Sequence, residues 1–243
     1  MPTHARRSLV QLALACGLLL GVAAALAYWR TLPGARTNPV TAGTGAETVI
    51  MDFADIFNPS APPAGWMHRR FLTRPAMEVS FRTKDGVPAL RCATKGSGSI
   101  FGRWTDIELA NAATLKWRWL VEQPITSQLD ERTSEGDDHP VRLFLGFADS
   151  TGKAHHAEII WSNGALARGD WKLIGEFVHF VADGGDANIG QWREESADLI
   201  AIYRKASGRT DTPRLTQVAI FCDSDETGSS SIAYTGGKVV LTR

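Results

Sequence analysis

The sequence predicts an all-β domain, a two-sheet antiparallel β-sandwich of jelly-roll type with one short helix, carried behind an N-terminal membrane helix. Three observations carry that prediction. About ten runs alternate apolar with polar residues at period two and are rich in β-branched and aromatic side chains. Short strings of Gly, Asp, Ser and Lys separate them. Only one stretch keeps a helical stripe, which leaves little scope for βαβ units.

The chain opens with Arg6 and Arg7 ahead of an uncharged run over residues 9–29 that closes at Tyr28, Trp29 and Arg30. Such a run matches the roughly 20 residues a helix needs to cross the bilayer core. Basic residues on its near side and aromatic residues at its far end predict a cytoplasmic start, with the remainder outside. Residues 1–30 are therefore read as a signal anchor or a signal peptide. The length favours an anchor, while Ala25-Leu26-Ala27 keeps cleavage before Tyr28 open. Either outcome puts the protein in the periplasm, tethered to the inner membrane or released. Residues 31–48 hold Pro, Gly and Thr without an apolar period and read as a flexible linker. Residues 49–243 suffice for one domain with a real core. Lys and Arg number 26, Asp and Glu 26, and no basic cluster occurs, which argues against a nucleic-acid partner. Cys92 and Cys222 lie inside strand-like runs. An oxidising compartment permits a disulfide, but the reading preferred from sequence is two small buried residues.

Strands are predicted, in order, near residues 49–53, 79–82, 89–94, 100–105, 115–121, 141–147, 158–161, 172–182, 216–222 and 238–242. Lys84-Asp85-Gly86, Gly96-Ser97-Gly98, Ser150-Thr151-Gly152 and Asp183-Gly184-Gly185 mark turns between them. The helix is placed from Ser196 as N-cap, along the stripe Leu199, Ile200, Ile202 and Tyr203, to Gly208. Alternation puts Trp117, Trp119 and Val121 on one face with Arg118 opposite. It likewise opposes Val141, Leu143, Leu145 and Phe147 to Arg142. Mid-strand arginines of this kind are solvated surface by default and a binding face in second place.

Asp223-x-Asp225-x-Thr227-Gly228 repeats the first oxygen positions of a calcium loop. The twelfth position is Tyr234 and a strand precedes, so an EF-hand is excluded. Two readings stay open: a looser Ca²⁺ site held by Asp223, Asp225 and Thr227, or an Asp-rich turn capping its own backbone. Asp137-Asp138-His139 is the second acidic string, expected to pair with Arg118 or Arg142 and to converge with the first. Glu158, Glu176, Glu194 and Glu195 qualify as glycosidase carboxyls by type alone. No G-x-S-x-G, H-E-x-x-H or CxxC pattern occurs. Of the tryptophans, one or two are expected to be exposed, Trp104 or Trp171 before the others.

Several strings in order resemble one bacterial family, domain of unknown function 3047. They are Gly65-Trp66 with Phe71, Leu115-Lys116-Trp117-Arg118-Trp119, and Gly136-Asp137-Asp138 followed by Val141-Arg142-Leu143-Phe144. Trp161, Gly190-Gln191-Trp192 with Glu195, Tyr203 and the string from Asp223 to Thr227 complete the set. The chain departs from the family pattern at Ala197-Asp198, Ile202 and Tyr234-Thr235-Gly236-Gly237. The resemblance implies an exported β-rich domain without an established activity. From the residues themselves, the leading functional expectation is non-catalytic polysaccharide binding through Arg118, Asp137, Asp138, Arg142 and Trp161. The alternatives are a glycan-active hydrolase or lyase using Glu195 with an Asp, and a structural or protein-interaction domain of the envelope.

Overall fold

The computed structural model describes residues 38–109 and 113–243. The expected membrane helix and the start of the linker lie outside the described residues. Within them, no helix is long and apolar enough to cross a membrane.

Two sheets face each other across one core. The larger, of eight strands, runs β1 (Val40–Thr41), β6 (Gly98–Glu108), β13 (Arg214–Asp223), β8 (Arg142–Ala148), β9 (Ala154–Ser162), β11 (Phe177–Gly184), β10 (Trp171–Ile174), with β3 (Trp66–Arg70) also on β6. The smaller, of six, runs β12 (Arg193–Asp198), β7 (Thr114–Gln123), β14 (Ser230–Thr242), β5 (Val87–Lys95), β4 (Glu78–Lys84), with β2 (Glu47–Asp52) also on β14. Alternation sends Trp117 and Trp119 of β7 inward to meet Trp161 of β9, in edge-on contacts at 5.2 and 6.1 Å. Leu143, Leu145 and Phe147 of β8 and Val218 and Ile220 of β13 fill the same core.

The all-β sandwich with one helix is therefore observed, with several refinements. Two pairings are parallel, β9 with β11 and β1 with β6. The first follows from Gly175 (φ 57°), which splits the predicted strand over 172–182 into the β10–β11 hairpin and returns the chain in the direction of β9. Within the predicted linker, Val40 and Thr41 form a short strand, paired with Thr105 and Asp106. Gly65 admits this segment: a Cβ there would stand 2.3 Å from the Asn38 carbonyl oxygen. The strands β3 and β12 are additional to those predicted, and β14 begins at Ser230 instead of Lys238, carrying Gly236-Gly237 inside it at a register shift. The helix, α1 (Leu199–Ser207), is capped by Asp198 and not by Ser196, whose backbone pairs with Lys116 in β12. Asp198 Oδ1 accepts from Ile200 and Ala201 N–H at 2.8 and 3.1 Å, and Gly208 closes the other end at φ 68°.

Cys92 and Cys222 are bonded, with Cα atoms 6.5 Å apart, which corrects the unpaired reading. Both side chains face the core from opposite sheets, so the bond ties β5 to β13 across a sequence separation of 130. A cross-link closing so long a loop removes much freedom from the unfolded chain, about 2–5 kcal/mol in practice. Reduction, or Cys92→Ala with Cys222→Ala, is expected to lower Tm by about 4–20 °C. A melting curve with and without reductant measures it, and an unchanged Tm would contradict the tie.

Candidate functional site

The outer face of the large sheet, turned away from the core, carries a cleft of about 330 Å³. Period-two alternation builds it. Arg142 and Phe144 come from β8, His156 and Glu158 from β9, and Phe177 and His179 from β11. Phe221 and Asp223 from β13 and Arg69 near the end of β3 also line it.

Its floor is a buried ionic network centred on Arg142, which is 2% exposed. The two terminal nitrogens of Arg142 divide between carboxylates. Nη1 donates to Glu158 Oε2 at 2.6 Å, and Nη2 to Asp223 Oδ1 and to the Asp137 carbonyl at 2.7 Å. The guanidinium lies 4.4 Å from the Phe221 ring centroid. Lys172 supports the next layer. Its three donors reach the Glu131 carbonyl at 2.6 Å, the Asp137 carboxylate, and His139 Nε2 at 2.9 Å. His139 Nδ1 lies 2.8 Å from the Trp161 carbonyl, which can only accept. Its proton therefore sits on Nδ1, Nε2 accepts from Lys172, and the ring is neutral. Burial, then the Lys172 charge, push its pKa down to about 4, in agreement with that tautomer.

The two acidic loops meet beside this floor. Asp138, Asp223, Asp225 and Glu226 bring ligand oxygens within 4.8 Å of one another. Asp138 accepts from the Thr227 N–H at 2.6 Å, and Asp223 Oδ1 from the His139 N–H at 3.1 Å, so each loop caps the other. Arg74 pairs with Asp225 at 2.5 Å and Glu226 at 3.3 Å from the solvent side. Asp225 Oδ1 is shielded from solvent without a hydrogen-bond partner. The four carboxylates are oxygen donors of the kind a hard cation takes.

Crowded charge separates the acids. Burial would raise Glu158, but Arg142 and His179 overcome it and hold its pKa down at about 2. Burial also opposes ionisation of Asp137, but the Arg142 charge overcomes it and keeps the carboxyl well below the usual carboxylate range. Asp223 moves the other way, pushed up to about 7 by burial and by Asp138 against the pull of Arg142. Glu226 rises to about 8, through burial and its hydrogen bond and repulsions within the cluster.

Of the residues expected to form a site, Asp137, Asp138, Arg142, Asp223 and Asp225 come together. Arg118 does not. It lies on the small sheet, 3.7 Å from Glu194 and over the Trp192 ring, because alternation within one strand does not say which sheet the strand joins. Trp161 is 1% exposed and packed on Trp119, so it cannot stack on a ligand. Thr227 serves through its backbone donor, while its hydroxyl accepts from the Ser229 N–H within the turn, not from the side of the carboxylates. Glu195 is clamped by both nitrogens of Arg168, at 3.1 and 2.6 Å, outside the cleft. Trp104 and Trp171 are half-buried and not exposed, Trp171 being packed on Phe180. Sequence reasoning missed Lys172, His179, Arg69 and Phe177. For Glu158 a signal existed: a lone acid facing away from Ala157 and Ile159 in a run, Ala157 to Trp161, that is otherwise apolar.

The strings from Gly136 to Phe144 and from Asp223 to Thr227, which carry the family resemblance, are those that build this floor. A family model described as "Protein of unknown function (DUF3047)" matches residues 64–238, most of the sandwich and both acidic loops. The chain belongs to the DUF3047 family. No curated protein sequence matches this DUF3047 member. Among solved structures it is similar to a native family 12 xyloglucanase from Bacillus licheniformis, at 9% identity and a TM-score of 0.32, covering 85% of this chain and 98% of that one. It is also similar to the family 11 xylanase from Neocallimastix patriciarum, at 10% identity and 0.34, covering 83% and 94%.

Two outcomes follow from the network. Arg142→Met leaves Glu158, Asp137 and Asp223 buried without their common cation, a loss of about 3–5 kcal/mol measurable by urea unfolding. The second concerns pH. Asp223 and Glu226 have folded pKa values above their ordinary 3.8 and 4.5, so the folded state binds the extra protons and stability falls as pH rises toward 7–8. His139, with a folded value below its ordinary 6.5, acts oppositely, but only between about 4 and 6.5. Between about pH 6.5 and 8 in the presence of chelator, Tm should therefore drop, and Glu226→Gln should flatten the drop. A flat wild-type profile would contradict the shared protons.

Proposed function

We propose that the cleft binds polysaccharide, in a non-catalytic module held outside the cytoplasm. The observation that carries this reading is the pairing of an apolar wall with a rigid polar floor. Phe177 is 39% exposed and stands by Phe144 and His156 at 6.4 and 6.1 Å. A sugar ring has the same two characters, an apolar C–H face and a hydroxyl edge. Phe177 takes the stacking role expected of Trp161, and Asp223 and Glu226 take sugar hydroxyls. The disulfide supports an oxidising compartment, as does the reading of residues 1–30.

A cation such as Ca²⁺ belongs to the same proposal, held by Asp138, Asp223, Asp225 and Glu226. It would replace the shared protons of the cluster above neutral pH, with an expected rise in Tm on adding Ca²⁺ at pH 8. Absence of any response in melting and calorimetry would leave the loops as capped turns.

A hydrolase or lyase is the second reading, favoured by one observation. Glu158 and Asp223 share the cleft and one guanidinium, yet their pKa values are driven apart, to about 2 and about 7. Such a split is what acid–base work by two carboxyls requires. Glu158, not Glu195, is the partner in this version.

A glycan array spanning bacterial and plant polysaccharides tests both. Binding to at least one glycan is expected, weakened about 2–10-fold by Phe177→Ala. New reducing or unsaturated ends that vanish in Glu158→Gln would establish the enzyme. Silence across the array would remove the binding proposal.

A further inference from the structure

Nearly every charged group around the cleft is already held by another part of the protein. Arg142 is divided between Glu158, Asp223 and the Asp137 carbonyl, and the donors of Lys172 are all in use. Arg74 is drawn to Asp225 and Glu226. Arg142 and Lys172 have no charge to offer an incoming ligand without abandoning a buried partner, at a cost far above the gain, and Arg74 is already neutralised by two carboxylates. Arg69 differs. Among the described residues its guanidinium makes no ion pair and no hydrogen bond, and its one recorded contact is over the Phe71 ring, at 5.7 Å. Alternation along β3 sets Met67, Arg69 and Phe71 on the cleft side, with His68 and Arg70 opposite. Arg69 is exposed at the end of its strand yet lines the cleft. Its charge reaches the floor, where, after burial, it is the next cause holding the His156 imidazole below its ordinary pKa.

An unpaired guanidinium at a sugar-sized cleft presents two parallel N–H donors, a fork that matches a carboxylate far better than a hydroxyl. We infer that the cleft selects an anionic glycan, a polysaccharide of uronic acids, whose carboxylate is gripped by Arg69 while the ring lies toward Phe177. The inference rests on the polysaccharide reading and narrows it to a ligand class. A neutral glycan offers the fork only single, uncharged hydroxyl acceptors. A carboxylate replaces the water on Arg69 with two charge-assisted hydrogen bonds.

The test uses the full chain in detergent micelles and isothermal titration calorimetry, with polygalacturonate and alginate against neutral xylan and dextran as probes. Polyuronate is expected to bind tightest, and more weakly in high salt. Arg69→Gln should weaken it about 10–100-fold, the equivalent of one bidentate charged contact. Arg69→Lys should fall between, having the charge without the fork. Arg70→Gln, the same charge change on the opposite side of β3, should leave affinity as it was. Neutral glycans binding as tightly as polyuronate would overturn the inference and leave the polysaccharide reading standing. Equal losses in Arg69→Gln and Arg70→Gln would also overturn it, by showing a diffuse charge effect. Failure of every glycan to bind would remove both.

Discussion

A guanidinium removed from water is among the least comfortable groups a protein can bury, and here the arrangement of the large sheet follows from accommodating one. Arg142 sits in mid-strand with only 2% of its surface exposed, so its charge must be met by carboxylates brought from elsewhere. Glu158 arrives from the adjoining strand β9, Asp223 from the end of β13 on the other side, and Asp137 from the loop leading into β8. Three separate parts of the chain are thus held in mutual register by one side chain. Replacement of such a cluster by hydrocarbon often leaves a protein as stable or more so. Its presence at the bottom of an open cleft is therefore better explained by what the cleft does than by what holds the fold together.

The supporting layers obey the same logic. Lys172 neutralises Asp137 and fixes the tautomer of His139, whose other nitrogen is anchored to the backbone of β9. Glu131, 2% exposed, accepts from the Ser162 hydroxyl at 2.7 Å and from the N–H groups of Asn163 and Ala165 at 2.7 and 2.6 Å, pinning the segment after β9. The disulfide ends one residue before Asp223, so the covalent tie between the sheets also fixes where that carboxylate begins. Side chains held by so many fixed partners have little freedom to reorganise, which is the condition for binding without an ordering cost.

Much of this was legible in the chain and some was not, for reasons that can be named. Period-two alternation identified the strands whose two faces differ, such as β7 and β8, and failed on β3 and β12, where polar residues face both ways. Arg142 was visible as a charge opposed to four apolar residues, and the two acidic loops were visible as paired aspartates. What alternation does not contain is the order of strands. Arg118 and Arg142 look alike in sequence and end on different sheets, and nothing local announces that β9 lies beside β8 and brings Glu158 to Arg142. Trp161 was misassigned because residue type outweighed parity: its neighbour Glu158 is three positions away and so faces the opposite side. Arg69 and Phe177 belong to the rim, where a side chain matters for what it leaves unsatisfied, a property that exists only once all the others have found partners.

The position of β14 has a consequence for how the domain comes into being. It is the last of the described strands in sequence and lies in the middle of the smaller sheet, flanked by β7, β5 and β2, with Leu241 opposite Thr48. Until its final residues are available, β7 and β5 have no common neighbour and the core has one wall missing. Such a topology delays closure until β14 has been made, and its long-range pairings make that closure slow. A truncation within β14 would, for the same reason, remove a keystone and not a tail.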